Sequence, residues 1–134
     1  MALLIDTDLL IDLERGAGTP EVERLLGEED RGISVITVSE LLHGVLRARG
    51  ASRRARRRAF VEHVLAGLQA VPITEAVARV HADIWADLSV RGETIGAHDL
   101  WIAATALAHG LGVATRNASH FDRVPGLRVL SPPA

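Results

Sequence analysis

Apolar residues along this chain recur with two different periods, and the alternation between them sets the fold class. Leu3–Ile5 is a short apolar run that stops at Asp6-Thr7-Asp8, and a helical stretch then extends to about Glu14, closing near Gly16 and Gly18. Thr19-Pro20 starts another helix, with proline where its missing N–H costs nothing and Glu21 and Glu23 where the helix dipole favours acids. Gly32–Ile36 is a β-branched strand, and Thr37 opens a helix running to about Arg49. Gly50-Ala51-Ser52 interrupts it, and a further helix spans Ser52 to about Gly67. Val71–Ile73 is a strand or extended link. Thr74 then caps a long helix whose apolar positions Val77, Val80, Ile84 and Leu88 recur at helical spacing. After the loop Arg91–Thr94 comes a helix that is apolar nearly all round, Ala97–His109, closed by Gly110. Gly112–Thr115 is a third clear strand, Arg116–His120 a loop, and Leu127–Leu130 a final strand. Strands alternating with helices predict an α/β fold, a central parallel sheet of four or five strands covered on both faces.

The 134 residues suit one domain covering positions 1–134, large enough to bury its own core. Cysteine is absent, which excludes disulfides and thiolate metal sites, and no two of the six histidines stand three to five apart, which excludes a helical zinc pair. Any metal here is therefore a hard, oxygen-bound one. The N-terminus lacks a basic leader, and the uncharged stretch Leu100–Thr115 falls short of the roughly 20 residues that cross a bilayer. A cytoplasmic protein without a membrane segment is the expectation.

In open parallel sheets, sites gather outside the carboxyl ends of the strands. Asp6 lies just past the first strand, Glu40 in the first turn of the helix after the second, and Asp99 in the first turn of the apolar helix. Asn117 lies in the loop after the third clear strand. Each has a structural explanation of its own. Asp6 can cap a helix, Thr37-Val38-Ser39-Glu40 fits a capping box, and Asp99 suits a helix dipole. Three carboxylates on one rim, with no lysine in the chain to balance them, would however repel and raise their own pKa values. A divalent cation resolves that conflict, and Mg²⁺ takes oxygen ligands while keeping several waters. Mg²⁺ held by Asp6, Glu40 and Asp99, with Mn²⁺ as a substitute, points to phosphodiester hydrolysis.

The residues also resemble a known family. Ile5-Asp6-Thr7-Asp8, then Thr37 to Gly44 (TVSELLHG), then His98 to Ala104 (HDLWIAA), and Ala114-Thr115-Arg116-Asn117 before His120-Phe121 are similar to the blocks of PIN domains of the VapC toxin type. The similarity covers essentially the whole chain. It implies a metal-dependent endoribonuclease, an RNA substrate, neutralisation by a cognate protein antitoxin and frequent homodimers. Asp6, Glu40 and Asp99 match the family's acidic positions. Asn117 stands where many relatives carry a fourth acid, which weakens the case for a second metal. Thr115 is read as a hydrogen-bonding neighbour of the site, and Asp8 as either a supporting neighbour or an ordinary first-turn acid.

Net charge is −2, so there is no global attraction for nucleic acid. Seven of the fifteen basic residues nevertheless fall between Arg47 and Arg58. They form either an RNA-phosphate contact, a solvated helix face or a landing place for an acidic antitoxin segment. Aromatic stacking platforms are scarce, with two Trp, two Phe and no Tyr. Trp101 reads as core, and Trp85 as core or part of a partner groove. His98 and His120 flank the site without a visible orienting partner. Two rival functions stand beside the nuclease. Leu4-Ile5-Asp6-Thr7-Asp8 resembles the opening of haloacid-dehalogenase phosphatases, although the chain lacks the lysine that chemistry generally uses and has Leu10 where Thr or Val is usual. The other rival is a non-enzymatic α/β module that binds a protein, its acids merely capping helices.

Overall fold

The structure is a computed structural model that describes residues 3–15 and 30–132. The helix start expected at Thr19-Pro20, with Gly16, Gly18, Glu21 and Glu23, lies outside the described residues. The elements run β1 (Leu3–Ile5), α1 (Thr7–Glu14), β2 (Arg31–Ser34), α2 (Val35–Arg47), α3 (Ala51–Gly67), β3 (Gln69–Val71), α4 (Glu75–Val90), α5 (Ala97–Ala108), β4 (Gly112–Ala114), α6 (Ala118–Phe121) and β5 (Val129–Leu130). The five strands form one parallel sheet in the order β3-β2-β1-β4-β5. This is the α/β architecture expected from the sequence.

Strand side chains alternate between the two faces, so adjacent residues of β1 feed two different cores. Leu3 and Ile5 join Ile33 of β2 and Ala114 of β4 beneath Leu9 and Leu10 of α1, Leu41 and Val45 of α2, and Val61 and Val64 of α3. Leu4 and Val113 face the other way, against Val77, Ile84 and Leu88 of α4, the apolar α5, and Phe121. Continuous apolar strands buried on both faces are what a parallel sheet requires.

Several boundaries differ from the sequence reading. β2 stops at Ser34, whose Oγ accepts a hydrogen bond from the Ile36 N–H at 3.1 Å, and α2 starts at Val35 rather than Thr37. Thr37 is therefore buried inside the helix, and Glu40 lies in its second turn. The capping-box explanation of Glu40 fails on that geometry. α2 ends at Arg47, and α3 begins one residue early, after Gly50, whose φ of 85° is a conformation that favours glycine. β3 is shifted to Gln69–Val71, and β5 shrinks to two residues. The segment expected as a loop contains the short helix α6. Thr74 caps α4 as expected, its Oγ1 accepting from the Val77 N–H. Trp85 is not core, being 61% exposed. Trp101 packs half-buried against the second core, its ring stacked on His81 at 3.6 Å between centroids.

β1 is central, and the chain leaves it on one side for β2 and β3, then crosses to the other for β4 and β5. The carboxyl ends of β1 and β4 therefore flank a topological switch point, where the connections diverge and leave a crevice.

Candidate metal-dependent active site

Asp6 follows β1 directly, and its backbone N–H is held by the Ala114 carbonyl at 2.8 Å, which locks it beside the end of β4. Its side chain is 4% exposed and is fixed at both oxygens. Oδ1 accepts from the Thr7 N–H at 2.8 Å, capping α1. Oδ2 accepts from Thr115 Oγ1 at 2.7 Å, across 109 positions of sequence. Thr115 Oγ1 in turn accepts from the Asn117 N–H at 2.9 Å. Asp6 is thus both a cap and a site residue.

Thr7 brings in the next acid. Its Oγ1 donates to Glu40 Oε1 at 2.7 Å and lies 3.1 Å from Thr37 Oγ1. His98 Nδ1 lies 3.3 Å from Glu40 Oε2. Asp99 sits in the first turn of α5, with His120 Nδ1 3.6 Å from its Oδ2. Asp8 Oδ2 accepts from Asn117 Nδ2 at 2.9 Å, while its buried Oδ1 makes no hydrogen bond among the described residues. Arg116 pairs with Asp12 on the outer side of the same loop.

The site residues expected from sequence, Asp6, Glu40, Asp99, Asn117, Asp8 and Thr115, therefore meet on one rim. The two histidines do have partners, contrary to the sequence reading, and each is a site carboxylate. Thr7 and Thr37 escaped that reading. Thr7 carried one signal, its position between two aspartates, whereas nothing local marked Thr37.

The electrostatics follow from this crowding. Burial pushes the Asp6 carboxyl above its ordinary value, with Asp99 adding repulsion, against the lowering hydrogen bond from Thr115. Burial also raises Asp99, with repulsion from Glu40 and Asp8 set against the neighbouring His120. Asp8 is pushed up to about 6 by burial and by the charge of Asp6. An aspartate at position 117 would worsen this repulsion, whereas the asparagine amide donates to Asp8 instead.

The donor set fits a hard divalent cation. It is all oxygen, carries several negative charges and includes an unpaired buried carboxylate oxygen. Among the described residues no three acid or histidine side chains close into a finished metal cage. Mg²⁺ itself binds through one or two carboxylates and keeps several waters.

The raised Asp8 carboxyl has a consequence for stability. Below its ordinary value of 3.8 it is neutral in both folded and unfolded chains. As pH climbs toward about 6 the unfolded chain ionises first, so folding stability falls across that window and stays lower above it. Asp8→Asn is therefore expected to raise the melting temperature of metal-free protein by a few degrees near neutral pH. The gain should vanish below the ordinary carboxylate range. Thermal scans of both proteins across pH check this, and an equal effect at all pH values would contradict it.

The family model of the PIN domain matches residues 3–127. A curated relative, ribonuclease VapC1 of Rickettsia felis, is 38% identical over 131 residues, covering 98% of this chain and 96% of that protein. A crystal structure of a member of the VapBC family of toxin–antitoxin systems, VapBC-5 from Mycobacterium tuberculosis, superposes with a TM-score of 0.78 at 30% identity. The match covers 99% of this chain and 98% of that one. The DNA-bound VapBC structure from Salmonella typhimurium gives 0.86 at 28% identity, over 98% of each chain.

Proposed function

The chain belongs to the PIN domain family, in its VapC group, and from that premise we propose that it is a Mg²⁺-dependent endoribonuclease, the toxin of a toxin–antitoxin pair. The observation that carries the reading is the gathering of Asp6, Asp8, Glu40 and Asp99 at the switch point, with burial and mutual repulsion raising three of them.

Asp6, Asp99 and Glu40 are the residues that would hold the ion, directly or through water. Bound there, Mg²⁺ supplies Lewis-acid polarisation of a phosphodiester and offsets charge on the departing oxygen, with Mn²⁺ as its substitute. Thr115 fixes one Asp6 oxygen, and Thr7 fixes one Glu40 oxygen. Glu40 Oε2, on the half-exposed side of the rim, orients the attacking water. Asn117 holds Asp8 and so keeps the wall of the site in place, which suits one ion rather than two.

A cognate antitoxin and pairing of two copies complete the assembly. Trp85 and Val90 on α4 leave apolar surface exposed for protein contact. No helix among the described residues is long and apolar enough to cross a membrane, and we place the protein in the cytoplasm as one domain.

The phosphatase reading loses its footing because the chain has no lysine to hold a phosphate beside Asp6, and the family model that matches it is the PIN domain. The binding-module reading loses its own because Glu40 caps nothing. Purified protein is expected to cleave single-stranded RNA with added Mg²⁺ and to stop when the metal is chelated. RNA left intact alongside hydrolysis of small phosphate esters would overturn the reading.

A further inference from the structure

Two open cavities share a wall beside the acidic rim. The first, about 470 Å³, is lined by Thr7, Glu40 and His98 from the site and by Arg15, His43, Arg47 and Arg57 leading away from it. The second, about 620 Å³, continues past Arg47 and Arg57 to Arg49, Arg53 and Arg56 at the turn between α2 and α3. Arg47 and Arg57 line both, so an arginine basin adjoins the cavity that reaches the carboxylates.

The arginines there are not equivalent. Arg57 is tied to Glu14 at 3.2 Å, and Arg54 donates to the Ala48 carbonyl across the turn. Among the described residues, none of Arg47, Arg49, Arg53 and Arg56 is paired with a carboxylate. α3 has no acid in its first turn and instead carries Arg53 and Arg54 there, at the end where the dipole disfavours cations. Helix stability does not account for such a placement, but an anionic ligand does.

On the ribonuclease reading above, we propose that this basin seats the RNA backbone flanking the cut, so that an extended single strand lies along the two cavities with its scissile phosphate at the acids. The scarcity of apolar lining favours a polynucleotide over a protein segment. Only Ala48 and Phe60 offer apolar lining in the basin, too little to anchor a helix, whereas phosphates need only guanidinium groups and a path. The scarcity of aromatic side chains also fits a backbone grip rather than base stacking.

The test uses Asp6→Asn protein, expected to hold RNA without cutting it, and a fluorescein-labelled single-stranded RNA followed by anisotropy across salt concentrations. Adding Arg53→Gln and Arg56→Gln, both exposed on a helix, is expected to weaken binding about tenfold and to lower the salt slope by about 1.4, the loss of two phosphate contacts. Arg53→Lys with Arg56→Lys should restore most of the affinity. RNA affinity and slope unchanged by the glutamines would overturn the proposal. So would loss of binding to a poly-glutamate peptide with RNA binding kept, which assigns the basin to an acidic protein segment. The enzymatic reading is judged separately, on RNA cleavage by protein with Asp6 intact. Cleavage with indifferent arginines sinks the RNA-binding basin alone, and arginine-dependent binding without any cleavage sinks the nuclease alone.

Discussion

Replacing Asp6 by asparagine is expected to lower the RNA cleavage rate at least about a thousandfold, roughly 4 kcal/mol of transition-state stabilisation, while the protein stays folded. Asparagine caps helices about as well as aspartate, so the hydrogen bond from the Thr7 N–H to position 6 survives. What disappears is the charge. Asp6 is buried, sits between the ends of β1 and β4, and has its carboxyl raised by burial and by Asp99. Removing that charge takes away a cost to the metal-free fold, so Asp6→Asn should melt higher than the parent near neutral pH although it is inactive. Asp99→Asn should follow the same pattern less strongly, because His120 already offsets part of its charge. Single-turnover cleavage with added Mg²⁺, paired with thermal scans of metal-free protein, measures both effects. Activity within tenfold of the parent would remove Asp6 from the chemistry.

Phe121→Ala is expected to cost about 3–5 kcal/mol, a large share of the roughly 5–15 kcal/mol that holds a domain together. Phe121 is fully buried in the core that Leu4, Val113 and Val124 build beside α5. α6 has four residues, too few to be a stable helix alone, so this ring is what fixes it to the sheet. The same short segment carries His120, the neighbour of Asp99, and follows Asn117, which holds Asp8. Loss of the ring should therefore loosen one wall of the site as well as the core. Urea titration is expected to show a much lower midpoint with an unchanged slope. A cost below about 1 kcal/mol would mean the core tolerates the void.

Much of the fold could be read from the pattern of side chains. The strands after Met1, before α2 and after Gly110 are short apolar runs, and α4 shows its helical period openly. The misreadings have physical causes. Val35-Ile36-Thr37-Val38 is β-branched throughout, so the run from Gly32 reads as strand through Ile36. The Ser34 hydroxyl instead caps a helix there, and tertiary packing of Ile36 outweighs its propensity. α6 is too short to show any period. Within the site, the acids were legible because Asp6 follows a strand, Asp99 opens a helix and Glu40 lies early in the helix after a strand, all on one edge of a parallel sheet. Their partners were not. That Thr7 bonds Glu40, that Thr115 bonds Asp6 and that two histidines stand against Glu40 and Asp99 are contacts between remote segments, which no spacing rule encodes.

The central claim is that these carboxylates are kept together because a divalent cation sits among them. Anomalous diffraction from crystals of the native protein soaked in Mn²⁺ tests it most directly. One strong peak is expected among Asp6, Glu40 and Asp99, and no peak in Asp6→Asn crystals treated alike. A native crystal of active protein with no peak at this rim, or with its only peak elsewhere, would contradict it.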